Sequence, residues 1–201
     1  VNPRAFADEL LTKTYELIKK GVKDPKYAVS SSFPHLSSVG SATFCMGKLA
    51  KDGIFRVANI GDSGFLVIRD GNILIESSEH QHDFNYPYQL GIGLDGLPHG
   101  GDRPEDAEVY RMQLEQGDII VMGTDGLLDN LWPKQILSYI EDNPLNPKDL
   151  AKGLATLAYE ESQKTSNYVP FFQRAKEAKK PFATYRGGKE DDISVIVSVV
   201  D

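Results

Sequence analysis

Cysteine is nearly absent from this chain of 201 residues: Cys45 is the single one. That excludes an intramolecular disulfide framework and fits a reducing compartment. Cys45 lies in an apolar stretch, where a buried structural thiol is the expected reading. Long hydrophobic runs are missing as well, so no transmembrane helix is expected. A surplus of basic charge is also lacking. Lys and Arg total 22 against 29 Asp and Glu, a formal net charge of −7, whereas a nucleic-acid-binding face needs the reverse balance. No internal repeat or second domain is apparent, and residues 1–201 read as one domain with a sizeable core. There is no initiator Met or targeting segment. The chain opens at Val1-Asn2-Pro3-Arg4 inside an apparent helix, which reads as a fragment or a processed form, silent about its own address.

Apolar residues make up 40% and charged residues 25% of the chain, ordinary for a globular protein. Phe6, Leu10, Leu11, Leu17 and Ile18 recur at helical spacing from Pro3 to Lys20, and Gly21 closes that helix. Residues 22–39 are polar and turn-rich, with Ser30-Ser31-Ser32 and Pro34, and predict a mobile loop. From Gly40 the period shortens to that of strands. Lys51-Asp52-Gly53 and Asp70-Gly71-Asn72 each sit between two such runs and predict hairpins. Residues 77–106 have little periodicity. His80 and His82 there have a spacing that could serve a transition metal on a strand edge, but no matching Cys or His pair follows. Asn146-Pro147 starts a helix with an N-cap residue and Pro at N1, and Leu150, Leu154, Leu157 and Ala158 form its apolar stripe. Residues 167–185 mix aromatics with Arg174, Lys176, Lys179 and Lys180. They read as a solvated short helix, with a basic substrate-facing flap as the alternative.

The centre of the chain is the stretch from Ile119 to Asn130. Ile119 to Met122 reads as a short buried strand. It ends at Gly123, and Asp125 and Asp129 follow four residues apart. A carboxylate at the end of a buried strand is costly unless a cation or donors receive it. Two such carboxylates read as a hard-cation site, while the plainer reading is a strand-to-helix turn in which Asp125 or Asn130 caps the next helix. Gly126 would permit a sharp backbone turn. The same pattern recurs twice. Asp62 stands between Gly61 and Gly64, and Asp191-Asp192 precede the closing strand Ile193 to Val200. One sheet end could therefore collect Asp62, Asp125, Asp129 and Asp191. Helices at both ends of the sequence and strands between them argue an α+β layered domain.

GSAT at 40–43, GDSG at 61–64, TDGLLDN at 124–130 and GGKEDDIS at 187–194 stand in this order. In these elements the chain resembles the metal-dependent protein phosphatases of the 2C type. SGFLVIRDG and EHQHDFNYPYQL resemble the mitochondrial and plastid branch, related to the phosphatase-seven homologue of yeast. The resemblance implies a four-layer α/β/β/α sandwich of two antiparallel sheets, and hydrolysis of phosphoserine and phosphothreonine in phosphoprotein substrates. It also implies Mn²⁺ or Mg²⁺ as cofactor. By position, Asp125 and Asp191 resemble the ligands of the central metal pair, and Asp62 and Asp129 those of a weaker third ion. Asp192 and Gly126 would support these ligands without touching the metal. A mitochondrial location is expected on the same ground. The family's phosphate-gripping Arg, the Asp-Gly that bridges the metals and the His beside it have no recognisable counterpart. Asp52-Gly53, Asp70-Gly71 and Asp95-Gly96 read as turns, the last leading to His99. We therefore expect the catalytic acid and the Arg to belong to an absent N-terminal part. The alternative is a pseudophosphatase that binds phosphoproteins or a partner without hydrolysis.

Overall fold

Two sequence signals of the same kind open helices at either end of the chain. In the computed structural model, which describes residues 2–98, 101–180 and 186–201, Asn146 caps helix α5 (Pro147–Ser162), and its side chain accepts from Lys148 N and Asp149 N. Asp24 does the same for α2 (Pro25–Ser32), accepting from Lys26 N and Tyr27 N with Pro25 in the first turn. The expectation of a mobile loop over 22–39 is thus corrected. An N-cap acid followed by Pro builds a helix there, and a single 3-10 turn, Phe33–His35, continues it. Ser32 is buried, with its hydroxyl 2.8 Å from that of Thr14, so this end of the serine tract is packing rather than a modifiable surface.

The chain folds as two compact units interleaved in sequence. Val1–Asp62 and Glu79–Leu114 make the first. It contains α1 (Pro3–Lys19), α2 and a three-stranded antiparallel sheet ordered β2 (Phe44–Leu49), β3 (Ile54–Ile60), β9 (Glu108–Gln113). The short pairs β1 (Gly40–Ala42) with β8 (Leu90–Ile92) and β6 (Gln81–Asp83) with β7 (Tyr86–Pro87) complete it. Phe6, Leu10, Val29, Phe33, Phe44, Ala58, Ile60 and Leu90 form its core. Leu11, counted in the helical stripe, is 56% exposed, because the buried face runs through Phe6, Leu10 and Thr14 instead. Cys45 is half-buried on β2, and burial pushes its thiol up to about 12, so it is unreactive near neutral pH. His82 Nε2 lies 2.8 Å from Asp102, and His80 Nε2 lies 3.6 Å from Glu108. The two histidines therefore face separate carboxylates rather than one shared metal. His99 and residues 181–185 lie outside the described residues.

Ser63–Ser78 and Glu115–Asp201 make the second unit. Its sheet runs β11 (Val195–Val199), β10 (Ile119–Gly123), β4 (Gly64–Arg69), β5 (Asn72–Glu76), antiparallel throughout. β4 and β5 are joined through Asp70 and Gly71, both at positive φ (49° and 68°). This is the backbone that a two-residue hairpin needs and that Asp-Gly tolerates. Along β4, Phe65, Leu66, Val67 and Ile68 are all buried, so side chains on both faces of this strand are shielded from water and it reads as an unbroken apolar run. Leu66, Ile68, Val121 and Val197 pack with Leu127, Ile136, Leu150 and Leu154 from α3 (Asp125–Leu128), α4 (Pro133–Glu141) and α5. Full burial of each such Leu or Ile contributes about 1.5–3 kcal/mol. The result is the expected α+β class: antiparallel sheets, each carrying helices.

Candidate functional site

The register of the second sheet decides which loops meet. Gly123, the last residue of β10, pairs with Val195, the first of β11. The residues after β10 and those before β11 therefore emerge at the same sheet end. Thr124 ties them together: its N–H donates to Ser194 O, its hydroxyl donates to Asp192 O, and it accepts from Ser194 N. Gly126 lies inside this contact. Its φ is not positive, so the sharp turn expected there does not draw on glycine's backbone freedom; it is glycine because of close packing. A Cβ there would lie 2.5 Å from the Asp192 carbonyl oxygen. Gly126→Ala is expected to push the 191–193 segment away and to cost about 1–3 kcal/mol, read as a lowered urea midpoint.

Asp125, Asp129 and Asp191 converge here on one cation, the ammonium of Lys189. Its Nζ lies 2.7 Å from Asp125 Oδ2, 2.5 Å from Asp129 Oδ2 and 3.1 Å from Asp191 Oδ2. The two outer carboxylates are held alike. Asp125 Oδ1 accepts the N–H of Gly126 at 2.9 Å, and Asp191 Oδ1 accepts that of Asp192 at 2.8 Å. Each thus anchors one oxygen on its own loop and turns the other towards the cation. Asp129, 4% exposed, also receives the guanidinium of Arg174 from helix α6 (Pro170–Glu177).

Lys189 is placed from two sides. Asn130, 1% exposed, donates to the carbonyls of Gly126 and Lys189 and accepts the Lys189 N–H at 2.9 Å. The Phe171 ring lies 5.0 Å from the ammonium, within cation–π range. Upstream, Gly187 adopts φ +134°, and a Cβ on Gly188 would run into Glu161 O and Ser162 Cα. The glycine pair therefore lays the loop against the end of α5.

Burial pushes the Asp129 carboxyl above its ordinary range, against the pull of Lys189 and Arg174. Burial alone would lower the Lys189 ammonium, but Asp129 and Asp125 outweigh it and the net shift is upward. Asp191 is also pushed up by burial, and its bonds with Lys189 and the Asp192 amide carry it below the usual carboxylate range.

The sequence-predicted residues divide accordingly. Asp125, Asp129 and Asp191 are brought together. Asp192 contributes its backbone N–H and carbonyl. Asp62 belongs to the first unit, in the turn after β3 beside Gly61, where a Cβ would lie 2.8 Å from Tyr88 O. Sequence reasoning missed Lys189 and the clamp role of Asn130. It also read Arg174 as part of a solvated helix or flap, whereas the guanidinium faces Asp129. The only available signal was the position of Lys189 and Asn130 inside the two acidic motifs. The donor set, three carboxylates, suits Mn²⁺ or Mg²⁺. As the side chains stand they enclose an ammonium. Among the described residues, no group of three or more His, Cys, Asp or Glu is arranged to hold a metal ion.

The chain matches the family described as Stage II sporulation protein E (SpoIIE) over residues 5–201. It is 33% identical over its whole length to the protein phosphatase PTC7 homolog fig of Drosophila grimshawi, covering 70% of that protein. It spans only 27% to 62% of the length of four probable 2C-type phosphatases from Arabidopsis thaliana and Oryza sativa subsp. japonica. The X-ray structure of the photosystem II phosphatase PBCP matches all of the chain at 34% identity and a TM-score of 0.87, over 81% of that structure. At the level of fold alone, it resembles the catalytic domain of the serine threonine protein phosphatase PstP, solved in complex with two manganese ions. There the identity is 16% and the TM-score 0.64, covering 98% of this chain and 82% of that one.

Proposed function

The chain belongs to the SpoIIE/PP2C family of phosphatase domains, and on that premise we propose that it serves a Mn²⁺- or Mg²⁺-dependent protein phosphatase acting on phosphoserine and phosphothreonine. One observation carries the reading: Asp125 and Asp191 each present a single oxygen to a shared cation while their other oxygen is fixed on the loop. Asp125 and Asp191 would hold the central metals, with Asp129 contributing to a further one. Metals held by these carboxylates would supply a water of lowered pKa and offset charge building on the phosphate. The chain's own part is preorganisation. The Gly126 and Asp192 amides set the two carboxylate rotamers. The Thr124 hydroxyl locks the loops that carry them, and Asn130 fixes the loop around residue 189. The two manganese ions of the PstP structure and the names of the relatives support the same assignment.

The test is hydrolysis of a phosphothreonine peptide by the native full-length protein with Mn²⁺ or Mg²⁺, followed by chelation. We expect turnover to disappear with EDTA and to return on adding Mn²⁺. Phosphopeptide binding without turnover under every metal condition would instead identify a pseudophosphatase.

A further inference from the structure

Lys189 bonds all three carboxylates at once, and Arg174 bonds Asp129 as well. Its side chain is 18% exposed, and its backbone is held by Asn130 in both directions. A cation delivered to a site by the site's own loop differs from a surface ion pair, because it is present at a high and constant local concentration. The oxygens it engages, Oδ2 of Asp125, Asp129 and Asp191, are those not committed to the loop amides at Asp125 and Asp191. A divalent ion drawn to these carboxylates needs the same oxygens. It would also meet a like charge at contact distance, which is strongly unfavourable in a half-buried site.

We propose that Lys189 is a tethered competitor for the metal. Its ammonium gathers Asp125, Asp129 and Asp191, and a divalent cation enters only by displacing it. This rests on the reading that these carboxylates take Mn²⁺ or Mg²⁺. Two consequences follow. The ammonium offsets repulsion among the three neighbouring carboxylates, and metal affinity is set below what the carboxylates alone would give.

The experiment compares Mn²⁺ binding, from the electron paramagnetic resonance of free Mn²⁺, in the native protein, Lys189→Gln and Lys189→Arg. Lys189→Gln should bind Mn²⁺ at least about tenfold more tightly, and Lys189→Arg, which keeps the charge, should stay near the native value. The thermal midpoint of Lys189→Gln should be lower without metal and should rise more on adding Mn²⁺ than that of the native protein. Should Lys189→Gln fail to fold, selective ¹⁵N-lysine spectra of the native protein decide the matter. The Lys189 Nζ resonance, assigned by its loss in Lys189→Arg, should move on saturation with Mg²⁺. Equal Mn²⁺ affinity in the native protein and Lys189→Gln, or an Nζ resonance unmoved by bound Mg²⁺, overturns the proposal and leaves the phosphatase reading intact. Failure of native protein and variant alike to bind Mn²⁺ overturns both.

Discussion

Asp125→Asn is expected to lower metal-dependent turnover of the native full-length protein by about a thousandfold or more, with the fold retained. The exchange keeps the side-chain shape and an oxygen able to accept the Gly126 N–H, a bond of 2.9 Å in the native protein. It removes the negative charge that faces the cation at 2.7 Å. A metal ligand supplies several kcal/mol of charge stabilisation to such a reaction, and about 4 kcal/mol corresponds to a thousandfold in rate. A phosphothreonine-peptide assay at saturating Mn²⁺, paired with a thermal scan, checks it. A midpoint within a few degrees of native together with collapsed turnover is the expected pair of results. Turnover within tenfold of native would remove Asp125 from the metal site.

The second large effect is on stability, away from the acidic cluster. Asp118 immediately precedes β10, with its side chain fully buried. It receives two N–H bonds from Arg69, at 2.7 and 2.6 Å, and the Glu115 amide at 2.8 Å. Asp118→Ala deprives the Arg69 guanidinium, 22% exposed, of its buried ionic partner and strips the Glu115 amide of its acceptor. An exposed ion pair is worth 0–1 kcal/mol, but breaking a buried one costs about 3–5 kcal/mol. Because Arg69 retains some solvent access, a loss of about 3 kcal/mol in urea unfolding is expected. A loss below about 1 kcal/mol would show the pair to be effectively solvated.

The pH dependence of the same pair has a definite sign. The hydrogen bonds from Arg69 hold the Asp118 carboxyl below its ordinary value of 3.8, although burial opposes them. A carboxyl depressed on folding stabilises the protein fully above the unfolded pKa and loses that contribution as pH falls through the folded one. Stability should therefore decline more steeply below about pH 4 in the native protein than in Asp118→Asn. Parallel declines would assign the acid sensitivity to other groups.

What the sequence determined by itself was local or periodic. Asn146-Pro147 starts α5 through contacts within three residues, and the leucine stripe that follows packs on the sheet. Asp70-Gly71 makes its hairpin, and the acidic turns at Asp125 and Asp191 stand at strand ends. The same rule was available at Asp24-Pro25, but the run of serines and Pro34 around it suggested a loop; the cap and the burial of Val29 and Phe33 prevailed. Only the tertiary structure decided the rest. The bonds joining Lys189 to Asp125 and Asp129 span 64 and 60 residues, and that from Arg174 to Asp129 spans 45. No propensity or capping rule reaches so far. Lys189 meets Asp125 and Asp129 because the pairing of Gly123 with Val195 brings two distant loops to one sheet end. Asn130 and the glycines then hold the loop of residue 189 where its ammonium can reach all three carboxylates.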